Sequence, residues 1–274
     1  MLRRVLPALL TALGAVLAGA LVWVLAVRVA AVGRIDAQAF HGFLVVGNTR
    51  AGDTAEVFAG LVDPAPFLIL AAALVGVAAA RRRPRHALVA VAMLIGSAVT
   101  TQLLKQLLAS DRAHPPPYGA HALADAWPSG HTTAATALAL CLVLVVAPRA
   151  RPAAAAVAGA FTVMVGYSLI ALGHHWPSDV AGGFCVAVAW MAAGVAALRL
   201  AGTPEEEAAA RRPHIVAAMV GTAAGGAALA LALLRPGGVI GYAVDHTSAV
   251  ALAGALGAAG LALVGATALA LRRA

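Results

Sequence analysis

Charge is scarce in this chain. Only 11% of its 274 residues are Asp, Glu, Lys or Arg, and Lys105 is the one lysine among them. A soluble domain of this length needs far more polar surface, so a soluble module is excluded. Cysteine is nearly absent too. Cys141 and Cys185 each lie inside an apolar run, which excludes a disulfide framework or a cysteine metal cluster and leaves small buried packing residues. No repeat period is present, only alanine-rich low complexity of the kind that close helix packing tolerates. His114 and His121 have no carboxylates at the spacing a metal ion needs, so no metal site is expected from them.

What the chain has instead is apolar length. Its residues are 62% hydrophobic, with a mean hydropathy of +0.91. Runs of about 20 apolar residues predict eight membrane spans at about 6–30, 62–80, 87–108, 129–147, 153–172, 178–198, 214–234 and 248–270. The expectation is an all-α polytopic bundle, a single integral membrane domain over 1–274. Arg3, Arg4 and the apolar stretch before Ala18-Gly19-Ala20 imitate a signal peptide, but the stretch runs on to Val32 and reads as an uncleaved first span.

The net charge of +8 lies in arginine clusters between these runs, which points to orientation and lipid headgroups rather than to nucleic acid. One side of the alternating topology collects 13 basic residues and the other 6, the latter being Arg28, Arg34, Arg50, Lys105, Arg112 and Arg235. Positive loops stay in the cytoplasm, so both termini are expected there, in a cell membrane, with the loops after spans one, three, five and seven outside. In the first outer loop, about 33–61, Asp53 and Glu56 predict a capped short helix at the membrane surface. Asp63-Pro64 reads as the N-cap and first residue of the second span. Glu205 to Glu207 with Arg211 and Arg212 reads as a solvated helical turn.

The polar residues that carry chemistry face the same expected side. Pro128-Ser129-Gly130-His131 opens the fourth span, where unpaired N–H groups and a positive dipole end favour an anion. Glycine admits a ligand to the backbone, serine offers a hydroxyl and histidine moves protons near neutral pH. Lys105 lies near the outer end of span three and Arg112 about two helical turns on, on the same face if the helix continues. They read either as interfacial anchors or as two cations for a phosphate. Trp127 fits an interfacial belt. His174-His175-Trp176-Pro177-Ser178-Asp179 opens the sixth span. His175 and Asp179, four apart, form either a structural hydrogen bond or a carboxylate-oriented nucleophile or base.

Lys105-x6-Arg112, Pro128-Ser129-Gly130-His131 and Ser168-x6-His175-x3-Asp179 together resemble the three-part signature of the type 2 phosphatidic acid phosphatase superfamily, across about residues 87–198. The resemblance implies a six-helix core followed by two extra C-terminal spans. It implies that His175 attacks phosphorus to form a phosphohistidine and that Asp179 orients that ring. His131 would protonate the leaving alkoxide and then activate water. Lys105, Arg112, Ser129 and the N–H of Gly130 would hold the phosphoryl oxygens, with no metal or other cofactor. Two positions depart from the pattern: Ala113 stands where the first motif has proline, and Leu169 where the third has arginine. One lost donor of that kind is worth about 3–4 kcal/mol of transition-state stabilisation. Arg34, Arg50, Arg235 and His174 are the candidate substitutes.

The function expected is hydrolysis of a membrane lipid phosphate, a polyprenyl carrier mono- or diphosphate before phosphatidate or phosphatidylglycerophosphate. An arginine-rich, lysine-poor chain of bacterial character supports that order. A catalytically silent lipid-phosphate binder or scaffold is the alternative that Leu169 raises. A transporter is a further one, disfavoured because these charges lie at one membrane edge rather than at midplane. The partners expected are the lipid phosphate and bilayer lipids, and either a monomer or a dimer fits the chain.

Overall fold

The computed structural model describes residues 2–112, 114–116, 120–122, 125–201 and 236–270. The seventh expected span, Glu205 to Glu207, Arg211, Arg212, Arg235, Ala113 and Tyr118 fall outside them. Ten α-helices and one 3-10 turn account for nearly all the described chain. They are α1 Leu2–Arg28, α2 Ala30–Gly47, α3 Ala51–Gly60, α4 Pro64–Ala80, α5 Pro84–Leu108, α6 Gly130–Val145, α7 Arg151–Ala171, α8 Pro177–Leu200, α9 Pro236–Asp245 and α10 Thr247–Ala270. Proline opens α4, α5 and α8 at positions where no N–H is needed.

This is a multi-pass membrane bundle. Among the described residues four helices, α1, α5, α7 with its preceding turn, and α8, are long and apolar enough to cross a bilayer. A fifth span forms if α3 and α4, bent by 56° at their junction, count as one. Large apolar side chains face outward along α1 (Leu6, Leu10, Leu13, Leu17, Leu21), α4 (Leu68, Ile69) and α5 (Leu88, Ile95, Leu103, Leu107). Lipid tails cover such a surface at no cost, whereas water would not. The expected count of eight spans is not reached among the described residues. The fourth expected span is α6, only 16 residues long and therefore about 24 Å.

That short helix is the centre of the bundle. It touches α4, α5, α7, α8 and α10, and its residues from Ala135 to Cys141 and Val143 to Val145 are buried all round. α8 lies between α6 and α1, and α5 beside both α6 and α8. Because α5 to α8 alternate in direction, the C-terminal ends of α5 and α7 meet the N-terminal ends of α6 and α8 at one end of the bundle. Cys141 is buried and Cys185 half-buried, both as free thiols, in keeping with their reading as packing residues.

Between Arg28 and Pro64 the structure departs from the expected loop. α2 occupies most of it, because Gly33, Asp36, Ala39, Phe40, Phe43 and Leu44 recur at helical spacing and bury one stripe against α7, α8 and α10. The single polar member of that stripe, Asp36, hides the period from a search for apolar runs. α3 matches the expected short helix. Its N-cap is Arg50 with no side-chain cap bond, so Asp53 sits inside its first turn rather than capping it.

Candidate active site

The site begins at two helix starts joined by one hydrogen bond. Ser129, the N-cap of α6, donates its N–H to the carbonyl oxygen of Asp179 in the first turn of α8 at 3.0 Å. Gly183, one turn further along α8, allows this approach. A Cβ there would stand 2.9 Å from the Ser129 carbonyl oxygen and 3.1 Å from the Thr133 nitrogen, both backbone atoms that cannot step aside. Gly182 does the same for Trp127, whose indole would lie 2.6 Å from an added Cβ. Trp127 is therefore buried against α8, not displayed in an interfacial belt as its sequence position suggested.

At the start of α6 the Ser129 hydroxyl accepts the Thr132 N–H at 3.2 Å, and the Ser129 carbonyl accepts from both the N–H and the hydroxyl of Thr133. The hydroxyl expected to meet phosphate thus caps the helix and is fully buried, with no bond donated by its own proton among the described residues. Among the described residues the N–H groups of Gly130 and His131 carry no hydrogen bond. A Cβ on Gly130 would meet nothing nearer than the Thr101 methyl carbon at 4.0 Å, so the chain is uncrowded at this glycine. Thr101 also bonds Thr133 across the α5–α6 contact. Lys105 is one turn beyond Thr101 on the same face of α5 and is half-buried.

At the start of α8 the carboxylate of Asp179 is fully buried and committed on both oxygens. Oδ2 accepts the Trp176 N–H at 2.9 Å, as in a capping box, and Oδ1 pairs with the guanidinium of Arg112. His175 is buried with its Nδ1 3.5 Å from Asp179 Oδ2. The approach falls short of a hydrogen bond, since Nδ1 has no partner of good geometry. In place of the expected holding bond there is a close contact without hydrogen-bond geometry, and Asp179 is held chiefly by Trp176 and Arg112. This contact turns Nδ1 towards the carboxylate and leaves Nε2 as the nitrogen that can face a ligand.

Arg112 differs from the sequence expectation. α5 stops at Leu108, so Arg112 is carried not on a helical face but on the chain beyond the helix. Its guanidinium reaches α8 instead of α6. Nη1 donates to Asp36 Oδ2 at 3.1 Å and to Ser178 Oγ at 2.9 Å, and the group lies 5.0 Å over the Trp176 ring.

His131 is half-exposed, and its Nε2 lies 3.2 Å from Oδ1 of Asp63. Asp63 does occupy the N-cap position of α4, yet its side chain makes no cap bond and turns to the histidine instead. Two acids, Asp36 and Asp63, thus engage the motif residues although no motif contains them. Asp36 gave one sequence signal, an acid at helical spacing within an apolar stripe. Asp63 gave none beyond capping.

Four histidines gather here. His121 donates its N–H to Gly173 at 2.7 Å, and its ring lies 6.2 Å from that of His174. Partial burial, then the neighbouring charges of His175, His121 and His131, hold the pKa of His174 below the ordinary value. His174 is thereby kept neutral near pH 7 and is a poor replacement for a permanent cation. Leu169 packs in the apolar core, 1% exposed, while its carbonyl accepts the N–H groups of His174 and His175. Arg34 and Arg50 are exposed, and among the described residues no bond ties either to the site. Among the described residues no three His, Cys, Asp or Glu side chains group as metal ligands.

Residues 68–201, which carry all of α5 to α8 and every motif above, match the family model of the PAP2 superfamily. Over these residues the chain is a member of that superfamily. No curated protein and no solved structure matches it. Membership supports a phosphatase-like activity, and Asp36 and Asp63 both lie ahead of the matched segment.

Proposed function

We propose that the chain is a membrane lipid phosphatase working by two successive in-line transfers at phosphorus. Nε2 of His175 attacks the phosphoryl group and the bond from phosphorus to the lipid oxygen breaks. The departing alkoxide takes a proton from His131. Water then loses a proton to His131 and attacks the phosphohistidine, and the P–N bond breaks to release inorganic phosphate. Lys105, Arg112, the Ser129 hydroxyl and the N–H of Gly130 hold the phosphoryl oxygens. No step calls on a metal. The observation that carries the reading is the Ser129–Asp179 backbone bond, which joins the two histidine-bearing helix starts.

The substrate is a lipid. An apolar cavity of about 290 Å³ runs between α1, α5 and α8, from Trp127, Leu108 and Gly182 beside the site to Ala15 and Ala189 deeper in the bundle. It suits an acyl or polyprenyl tail whose headgroup meets the polar cluster. A polyprenyl mono- or diphosphate is the preferred substrate, acted on at the outer face of a cell membrane, with both termini cytoplasmic by the arginine asymmetry. The whole chain acts as one membrane domain.

The test is phosphate release by the purified full chain from polyprenyl phosphate, polyprenyl diphosphate, phosphatidate and phosphatidylglycerophosphate. Release that disappears in His175→Ala supports the enzyme. The buried Leu169 favours one second reading, a silent lipid-phosphate binder. It gains if the native chain releases nothing and Leu169→Arg restores release.

A further inference from the structure

We propose that Asp36 is a positioning residue of this site: its carboxylate ties Arg112 to the first turn of α8 and so fixes where the guanidinium stands relative to His175. The inference rests on the phosphoryl-site reading above and concerns a residue outside every motif and outside the matched segment.

A carboxylate buried to 4% exposure on an otherwise apolar stripe is costly unless each oxygen is used. Both are used. Oδ1 accepts the Ser178 N–H at 3.1 Å, and Oδ2 accepts the Ser178 hydroxyl at 2.6 Å and Nη1 of Arg112 at 3.1 Å. Two consequences follow. First, the start of α8 already has its anion, since Asp36 takes the N–H that a phosphate would otherwise seek. The open N–H groups of Gly130 and His131 at α6 remain for the ligand. Second, of the five N–H donors of Arg112, three are committed, to Asp36, Ser178 and Asp179. Among the described residues two remain, on a guanidinium held by three partners and the Trp176 face. Without Asp36 the group keeps only Asp179, the Ser178 hydroxyl and the Trp176 face, and the α8 start competes for the phosphate.

Charge gives the device a signature. Burial, more than any other cause, raises the Asp36 pKa to about 6, against the Ser178 bonds and Arg112, with Asp179 adding to the rise. The carboxylate is ionised at pH 8 and largely protonated at pH 5, where its pull on Arg112 is lost. The charged groups facing it are Arg112 from the α5–α6 connection and Asp179 from α8. His114 lies a turn away against Gly33, with Tyr242 and His246 two turns on at Gly42. These are common to native and variant chains, so a comparison at matched pH cancels them, along with the titration of the probe.

The experiment measures inorganic phosphate binding to the detergent-solubilised full chain by tryptophan fluorescence, in native, Asp36→Asn and Ser178→Ala forms at pH 8 and pH 5. The expected result is about tenfold weaker binding in Asp36→Asn at pH 8, shrinking to under twofold at pH 5, with a smaller loss in Ser178→Ala at pH 8. Equal binding at pH 8, or the same ratio at both pH values, overturns the inference, the second because general structural damage does not follow the Asp36 charge. If Asp36→Asn does not fold, Ser178→Ala decides: unchanged binding at pH 8 overturns it. A native chain that binds phosphate but hydrolyses no lipid phosphate removes the phosphatase reading and leaves this result standing. A native chain that binds none removes both.

Discussion

Nε2 of His131 lies 3.2 Å from Oδ1 of Asp63, across the junction where α4 meets the start of α6. Both side chains are substantially exposed, so the pair adds little to stability. Its consequence is orientation of the imidazole proposed to carry the proton. Asp63→Ala is expected to lower lipid phosphate hydrolysis about tenfold while moving unfolding by less than about 1 kcal/mol. Steady-state kinetics paired with thermal unfolding in detergent checks this. Equal activity would reduce the contact to a surface ion pair.

The close passage of α8 over α6 yields a prediction of the opposite kind. Gly183→Ala forces a Cβ to 2.9 Å from the backbone oxygen of Ser129. Overpacking of this sort costs about 1–3 kcal/mol. It also separates the two histidine-bearing turns, so activity should fall more than stability alone explains, seen as a lower kcat in protein that remains folded at the assay temperature.

Asp36 makes a separate claim on stability. A carboxylate whose folded pKa is about 6, against an ordinary 3.8, binds its proton more tightly when folded. Stability from this group is full below the ordinary value and declines as pH rises from about 4 to about 6, by about 3 kcal/mol in all. Asp36→Asn lacks that titration. The difference in melting temperature, variant minus native, is therefore expected to grow more positive between pH 4 and pH 7 and to stay level above. A difference independent of pH would mean that Asp36 does not titrate in this window.

Much of this was legible in the chain itself. The apolar runs predicted α1, α4, α5, α7 and α8 closely because lipid-facing helices need apolar side chains all round, which a search for run length detects. The motif spacing predicted which helix starts would carry His131 and His175. α2 was not legible as a run, because Arg34, Asp36, Gln38 and His41 interrupt its apolar residues. The fate of Arg112 was hidden for a different reason. Its partners Asp36 and Asp179 lie 76 and 67 residues away in the chain; the expected span already ended at 108, and nothing local foretells where the chain beyond it carries the guanidinium. Asp63 was read for its backbone role, and only the packing of α4 on α6 turns its carboxylate to His131.

In the proposed reaction two histidines share one phosphorus atom, and trapping the phosphoenzyme tests that most directly. With radiolabelled p-nitrophenyl phosphate, whose leaving group needs no proton, His131→Ala should still be phosphorylated but should lose the label slowly, because water is no longer activated. His175→Ala should take up none. Acid-labile label on His175 that accumulates in His131→Ala is the predicted result. Label retained in His175→Ala, or phosphate release from the native chain with no labelled intermediate at any time, would contradict it.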